Sequence, residues 1–208
     1  MIIFDCEIKK MILGRNEVAD PTLQYCAGWS DYKGMGISVV CVYDTFLGMM
    51  HTLTPQDDDH HADLLQGMLN QHEYIVGFNN HGFDNALLEA AGFTIPKGRS
   101  YDIYAQVIAA AGLSDAPFYE RKGFRLDDLA RSNKLTRKND DGGGALAPAL
   151  YQRGEIERLH TYCGNDVQMT VELVNVILER NVICPRTFNV LPVKTPADVL
   201  GTVQVGLF

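Results

Sequence analysis

The stretch Ile2-Ile3-Phe4-Asp5-Cys6-Glu7-Ile8 predicts a buried β-strand that carries two acidic residues near the start of the chain. Because side chains alternate along a strand, Asp5 and Glu7 point to the same side of it. Two carboxylates in an apolar strand are costly unless a positive group lies against them. A hard divalent cation such as Mg²⁺ or Mn²⁺ is the simplest partner, since these ions prefer oxygen ligands. The strand therefore predicts a metal site that later parts of the chain should complete.

The overall composition predicts one globular domain. The chain has 208 residues, 46% hydrophobic and 21% charged, which is enough for a sizeable core. No run is long and apolar enough to span a membrane, and the first residues lack the pattern of a signal peptide. The five cysteines, without a CxxC pair, favour reduced thiols in a cytoplasmic protein over a disulfide frame or a zinc site. The net charge of −8 argues against a nucleic-acid binder, but an acidic metal site would contribute part of it.

The strand and helix patterns predict an α/β fold. Residues 23–31 are expected to be partly extended, and residues 33–36 to break the chain. Clear patterns then mark the strands 37–43, 46–53 and 74–78 and the helix 155–180. The first two of these strands have a short connection and should form an antiparallel pair. The acids at 57–59 favour a solvated first helical turn over the alternative, a metal cluster with His60 and His61.

Two later carboxylates lie where they can join the first pair. Asp84 follows the strand 74–78, at the edge where open α/β sheets place their sites; the alternative is that it caps a short helix. Tyr162 and Asp166 are four residues apart and share a face of the helix 155–180. Gly164 is unfavourable inside a helix, and a small residue there leaves room for close approach. The alternative for this pair is a core tyrosine and a capping aspartate.

Together these motifs resemble the DEDD superfamily of 3′–5′ exonucleases. The matching segments are Phe4-Asp5-Cys6-Glu7, Asn80 with Phe83-Asp84, and Tyr162 with Asp166. The resemblance spans residues 1–182 and implies a ribonuclease H-like, three-layer fold with a mixed five-stranded sheet flanked by helices. Thr161 occupies the position at which the histidine subgroup has its histidine, so the tyrosine subgroup is implied. The chain looks most like the stand-alone exonucleases of bacteria and phages that are related to the exonuclease domain of family B DNA polymerases.

The resemblance implies a two-metal hydrolysis of phosphodiester bonds at the 3′ end of single-stranded DNA or RNA, which releases nucleoside 5′-monophosphates in proofreading or repair. Two Mg²⁺ or Mn²⁺ ions roughly 3.5–4 Å apart would activate water and stabilise the leaving oxygen. Asp5 would bridge the ions, Glu7 and Asp166 would hold the nucleophile side, and Asp84 would support the second ion. Tyr162 would orient the attacking water through its hydroxyl group.

Substrate contacts are predicted in two further places. The resemblance implies that Asn80 and Phe83 contact the nucleic-acid strand. Many members of the family also have a threonine after the first glutamate that contacts the terminal nucleotide. Here Glu7 is followed by Ile8-Lys9-Lys10 instead. A basic cluster between residues 121 and 138 is a candidate phosphate surface, with a solvated helix face as the alternative. Its candidate contacts are Arg121, Lys122, Arg125 and Lys138. Trp29, Tyr25 and Phe118 are candidate stacking residues, although single aromatics more often belong to the core.

The segment 183–208 contains several prolines and is expected to be an extended tail or a small strand addition. Its last five residues resemble the Gln-x-x-Leu-Phe peptide by which bacterial replication proteins bind the sliding clamp. In that reading Gln204 fixes the register, and Leu207 and Phe208 are hydrophobic anchors. The alternative is that these side chains pack on the domain.

Two other functions stay open beside the exonuclease. One is a non-catalytic nucleic-acid-binding module on the same fold, and clustered acids near phosphate speak against it. The other is a ribonuclease H-type endonuclease, which the late Tyr162–Asp166 helix disfavours. The sequence does not choose between DNA and RNA, because no pattern in it reports on the 2′-hydroxyl group.

Overall fold

A computed structural model describes residues 1–136 and 146–201. Within these ranges the chain forms a mixed five-stranded sheet in the order β3-β2-β1-β4-β5. The strands are β1 (Ile2–Ile8), β2 (Ile37–Asp44), β3 (Met49–Leu53), β4 (Ile75–Gly77) and β5 (Ser100–Asp102). The first three strands pair antiparallel, whereas β4 is parallel to both β1 and β5. The central strand is therefore the acidic stretch with which the chain begins.

Helices cover both faces of this sheet. They are α1 (Tyr32–Met35), α2 (Asp59–Gln71), α3 (Asp84–Ala90), α4 (Ile103–Ala110), α5 (Leu126–Ser132), α6 (Ala147–Gln152), α7 (Ile156–Leu178) and α8 (Pro196–Leu200), with a 3₁₀ turn at Phe118–Arg121. Side chains of α2 and α3 share one hydrophobic core with the sheet, and side chains of α4 to α7 share the other. The predicted three-layer α/β arrangement is confirmed.

The alternation of side chains along β1 determines which face carries the acids. Ile2, Phe4 and Cys6 are buried in the core shared with α2 and α3. Ile3 belongs to the opposite core, which α7 covers. Asp5 and Glu7 follow Ile3 at steps of two residues, so they lie on the α7 side of the sheet. The prediction that both acids share one face is thus consistent with the packing on either side of the strand.

Three local predictions about the early chain need correction. The predicted break at 33–36 contains α1, because Asp31 caps it by accepting a hydrogen bond from the Gly34 amide at 3.0 Å. The partly extended stretch 23–31 is mostly turn, with an isolated bridge between Met11 and Tyr25. The third strand begins at Met49 rather than at residue 46, since Asp44 holds the preceding residues in a turn.

The segment after α7 packs on the domain up to the end of the described chain and contains an isolated antiparallel bridge between Ile183 and Val190. This is closer to the predicted small strand addition than to an extended tail. Cys184, Leu191 and Val193 are buried in the core that α7 covers. The hydroxyl of Tyr101 donates to the carbonyl of Lys194, and that of Tyr74 donates to Gly201 at 2.9 Å. The predicted boundary at residue 182 therefore does not coincide with a break in packing. Residues 204–208, the predicted clamp-binding peptide, lie outside the described residues.

Among residues 1–136 and 146–201, no helix has both the length and the apolar character that crossing a membrane requires. All five cysteines are free thiols, as the sequence predicted.

Candidate metal centre

Three carboxylates from the two ends of the domain sequence converge at one site. Asp5 and Glu7 of β1 and Asp166 of α7 each offer an oxygen, and these three atoms lie within 4.8 Å of one another. The pairing of β1 with β2 contains an irregularity between Glu7 and Ile8. Such bulges change the direction of side chains and are common beside functional sites. Glu7 is buried, at 7% exposed, whereas Asp5 and Asp166 are partly exposed, so the group is open to solvent on one side.

Asp84 is bound to the peptide that separates the first two acids. Its Oδ1 atom accepts a hydrogen bond from the Cys6 amide at 3.1 Å. The strand β4 pairs with β1 only through Ile2 and Ile3, so the later amide of β1 takes the carboxylate as its partner instead of another strand. Asp84 is the first residue of α3 and is buried. The structure thus places it beside the three-acid group, although not within it.

The turn between β4 and α3 is built around Asn80. This residue has no exposed surface, and its Nδ2 atom lies 2.9 Å from Ser100 Oγ and 3.3 Å from Asn85 Oδ1. A Cβ at Gly77 would be 2.7 Å from the Asn80 Cβ, so the strand must end on glycine here. The predicted substrate contact through Asn80 is not supported, because an enclosed amide cannot reach a ligand. Asn80 instead fixes the turn that carries Asp84.

Burial raises the pKa values of Asp5 and Asp84, and nearby negative charges add to both shifts. Burial, followed by the nearby charges of Asp84, Glu7 and Asp166, raises the pKa of Asp5 well above its usual value. Burial also raises the pKa of Asp84 to about 7, despite the opposing hydrogen bond from the Cys6 amide. Each shift means that the negative form is unfavourable in this environment. A cation of charge two at this position would remove that penalty.

The donor set fits a hard divalent cation. All three converging ligands are carboxylate oxygens, which suit Mg²⁺ and Mn²⁺ and are poor ligands for softer ions.

The segment around His60 and His61, considered above as an alternative metal cluster, has a structural explanation. Asp58 caps α2 by accepting hydrogen bonds from the His60 amide at 2.8 Å and the His61 amide at 3.3 Å. That cap agrees with the predicted solvated first turn of a helix.

Tyr162 lies one helical turn before Asp166 on α7, as predicted. Burial, and then the charges of Asp166 and Glu7, raises the pKa of its hydroxyl group above the usual value. The hydroxyl therefore stays protonated at neutral pH and can donate a hydrogen bond. A Cβ on Gly164 would meet no heavy atom of the described residues within 4 Å, which agrees with the predicted space beside this face.

Sequence reasoning missed the contact between Cys163 and Asp5. The Cys163 sulfur lies 3.5 Å from the Asp5 carbonyl oxygen and 3.8 Å from its Oδ2 atom. Burial raises the pKa of the Cys163 thiol, so it remains a weak S–H donor. Cys41 is opposite Asp5 in the β1–β2 pairing. In the sequence, the only signal for the contact between Cys163 and Asp5 was the position of Cys163 between Tyr162 and Asp166, and that position is not a specific signal.

The predicted basic contacts differ in their surroundings. Arg121 holds its own loop, since Nε donates to the Ala116 carbonyl at 2.8 Å and Nη2 donates to the Ser114 carbonyl at 2.7 Å. These bonds give Arg121 a structural role, and its contact with phosphate stays a prediction. Lys122 and Arg125 are exposed, and their contact with phosphate stays a prediction. Lys138 lies outside the described residues.

A family model described as the RNase H superfamily matches residues 30–178. Since the match covers well over half of the chain, the protein belongs to the RNase H superfamily. No curated protein gives a significant match to the sequence. The matched region includes Asp84, Tyr162 and Asp166, whereas Asp5 and Glu7 precede it. Membership indicates a nuclease that acts on nucleic acid, in a superfamily that usually uses divalent metals, and it agrees with the observed fold.

Proposed function

We propose that the protein is a metal-dependent 3′–5′ exonuclease of the tyrosine DEDD subgroup, which removes nucleoside 5′-monophosphates from single-stranded nucleic acid. The observation that carries this proposal is the convergence of Asp5, Glu7 and Asp166 within 4.8 Å. The bond between Asp84 and the Cys6 amide adds a fourth acid at the expected place. Tyr162 completes the set, one turn of α7 from Asp166.

The acidic residues and Tyr162 would have different roles in hydrolysis. Asp5, Glu7 and Asp166 would hold the cations, with Asp84 beside the second one. When bound, a pair of divalent cations supplies an activated water and neutralises charge on the leaving oxygen. The water oxygen forms a bond to phosphorus as the bond to the 3′ oxygen of the preceding nucleotide breaks, and that oxygen takes up a proton. Tyr162 stays neutral and orients the water by hydrogen bonding.

Two alternative functions predict different products from the same substrate. An endonuclease of the ribonuclease H type would cut internally, and a binding module would not cut at all. The clustering of acids disfavours a module that only binds, because four carboxylates near phosphate weaken binding unless they hold a metal. The pairing of Tyr162 with Asp166 on a late helix favours the exonuclease.

The decisive experiment digests a 5′-labelled single strand, as DNA and as RNA, with Mg²⁺ or Mn²⁺. An exonuclease gives a ladder that shortens stepwise and releases 5′-monophosphates. Asp166→Asn should abolish the ladder, whereas Asp63→Asn, at an exposed acid of α2, should leave it unchanged. Internal cuts would replace the proposal with an endonuclease, and the absence of any product from the folded wild-type chain would overturn it.

The C-terminal resemblance supports a second partner, the bacterial sliding clamp, through Gln204, Leu207 and Phe208. Sequence alone carries this part of the proposal. A pull-down with the clamp should recover the full chain and lose a chain that lacks the last five residues. Equal recovery of both would contradict clamp binding and leave the nuclease proposal intact.

A further inference from the structure

An exposed tryptophan contacts the residue that immediately precedes Asp84. Trp29 is 70% exposed, although tryptophan is usually one of the more deeply buried residues. Its ring contacts the Phe83 ring edge-on, with centroids 6.4 Å apart. Tyr32 contacts the same ring at 6.0 Å. We refer to Trp29, Tyr32 and Phe83 as the aromatic ledge. Phe83 immediately precedes Asp84 in the sequence, so the ledge is continuous with the acidic site.

The backbone around Trp29 is held in place by hydrogen bonds. The Asp31 carboxylate accepts from the Ala27 amide at 2.8 Å and from the Gly34 amide at 3.0 Å. The Asp31 amide in turn donates to the Gly28 carbonyl at 3.0 Å. These bonds enclose the tryptophan in a short, closed loop that leads into α1. The side chain is therefore presented to solvent by a fixed segment, which is what a binding surface requires and a core residue does not.

Because the protein is acidic, contacts that do not depend on charge should matter for its binding of a nucleic-acid strand. With a net charge of −8 the chain as a whole repels phosphate, and the acidic site adds to this repulsion in the absence of metal. Base stacking on an aromatic ring is insensitive to sequence and to the sign of the protein charge.

We propose that Trp29 stacks on a nucleobase near the 3′ end of the bound strand, with Phe83 and Tyr32 supporting its ring. This inference rests on the proposed function and adds to it a specific subsite for single-stranded substrate. The occupant is a nucleobase rather than a protein surface, because a single indole ring is the exposed part of the ledge and Phe83 precedes an acid of the proposed nuclease site. A paired base is already stacked within its duplex, so the subsite favours unpaired ends.

Trp29 is the only tryptophan in the chain, so its own fluorescence reports directly on stacking. The full-length chain with Asp166→Asn, which should bind without cutting, is titrated with a short oligothymidylate in Mg²⁺. A second titration uses an oligonucleotide of equal length whose terminal nucleotides are abasic. We expect saturable quenching by the first and little quenching by the second. Equal fluorescence changes with both strands would overturn the proposal, since the two share their phosphates.

Affinity measurements with matched variants test the same subsite independently. Trp29→Ala should weaken binding of a labelled single strand by about 5- to 150-fold, the range expected for the loss of one stacked base. Trp29→Phe should restore most of the affinity. Phe46→Ala is the control, because Phe46 is also a highly exposed aromatic residue, at 87%. It lies in the β2–β3 turn, next to Thr45, whose hydroxyl donates to the Met1 carbonyl at the start of the chain. Unchanged affinity in Trp29→Ala, or an equal loss in the control, would contradict the proposal.

The outcomes separate this inference from the proposed function. If the digestion ladder appears but Trp29 shows no quenching, the exonuclease stands and the stacking subsite is wrong. If quenching appears without any ladder from the wild-type chain, the subsite stands as part of a binding module. Loss of both would remove the two proposals together. If Trp29→Ala fails to fold, the affinity of Trp29→Phe and the fluorescence titration of the Asp166→Asn chain, which retains Trp29, still test the proposal.

Discussion

Asp5 and Asp44 are acids on neighbouring strands with opposite surroundings. Asp44, at the end of β2, accepts hydrogen bonds from the Phe46 amide at 2.7 Å and the Leu47 amide at 3.2 Å, and His72 Nε2 lies 3.2 Å away. Burial alone would raise the pKa of Asp44, but these partners bring it below the usual value. Asp5 contacts other carboxylates instead, and its pKa is raised.

This difference separates a structural acid from a candidate functional one. Both residues lie on strands that pair with each other, so secondary structure does not distinguish them. What differs is the charge or partial charge of the groups that surround each carboxylate: hydrogen-bond donors surround Asp44, and other carboxylates surround Asp5. An acid among donors stabilises the fold by being charged, whereas an acid among acids is unfavourable until a cation binds. The following predictions test that contrast.

The largest effect is expected for Asp5→Asn. Substitution of a metal ligand should lower cleavage by more than the about 10- to 100-fold loss typical of residues that merely support a ligand. Without metal, the variant should be at least as stable as the wild type, because a repelled charge has been removed. Rates on a labelled strand and melting curves in EDTA measure the two quantities. Cleavage within a few-fold of wild type would contradict the role of Asp5.

Divalent metal should stabilise the protein, most strongly at high pH. The raised pKa values of Asp5 and Asp84, the latter about 7, mean that the folded state holds protons more tightly than the unfolded state. Stability without metal should therefore fall as pH rises from about 4 through 7. Mg²⁺ or Mn²⁺ at 100 times its dissociation constant should add about 2.7 kcal/mol. Melting in EDTA and in metal at pH 5.5 and 8 measures this, and a stability that rises with pH in EDTA would contradict it.

Asp44→Ala should lower stability without lowering the activity of each folded molecule. Leaving the turn amides and His72 without their acceptor should cost about 1–3 kcal/mol. Because the folded pKa of Asp44 is depressed, its contribution is complete above about pH 4 and is lost as pH falls through the folded value. Urea unfolding at pH 7 and pH 3 compares the variant with Asp63→Asn. A loss of turnover with unchanged stability would reverse the roles assigned to the two acids.

Tyr162→Phe is expected to have the smallest effect. Loss of one hydrogen bond to the attacking water should lower turnover by about 10-fold, which corresponds to roughly 1.4 kcal/mol. Metal affinity should not change, since a phenol with a raised pKa is not an anionic ligand. Single-turnover rates and Mn²⁺ binding measure the two properties. An unchanged rate would remove Tyr162 from the mechanism.

The sequence predicted those parts of the site whose signal is local. The alternation in β1 and the apolar stripe of α7 place Asp5, Glu7 and Asp166 on facing elements without any knowledge of tertiary contacts. The mixed five-stranded sheet and the helical layers on its two faces followed from the family resemblance. The convergence of the carboxylates is a consequence of that topology.

Other features depend on distances that a sequence does not contain. The bond from Cys6 to Asp84 exists because β4 stops pairing with β1 after two residues, which is decided by the turn around Asn80. The contact of Cys163 with Asp5 depends on how closely α7 approaches the sheet. The helix α1 was missed because the side chain of Asp31 outweighs the low helix propensity of Gly34.

The separation of the acids along the chain also has a consequence for protein synthesis. Asp5 leaves the ribosome well before Asp166, because β1 precedes α7 by most of the domain. A growing chain can pair β1 with β2 and dock Asp84, yet it lacks a third converging ligand until α7 has emerged. The nascent protein is therefore unable to assemble its candidate metal centre beside the messenger RNA until most of the domain has been translated.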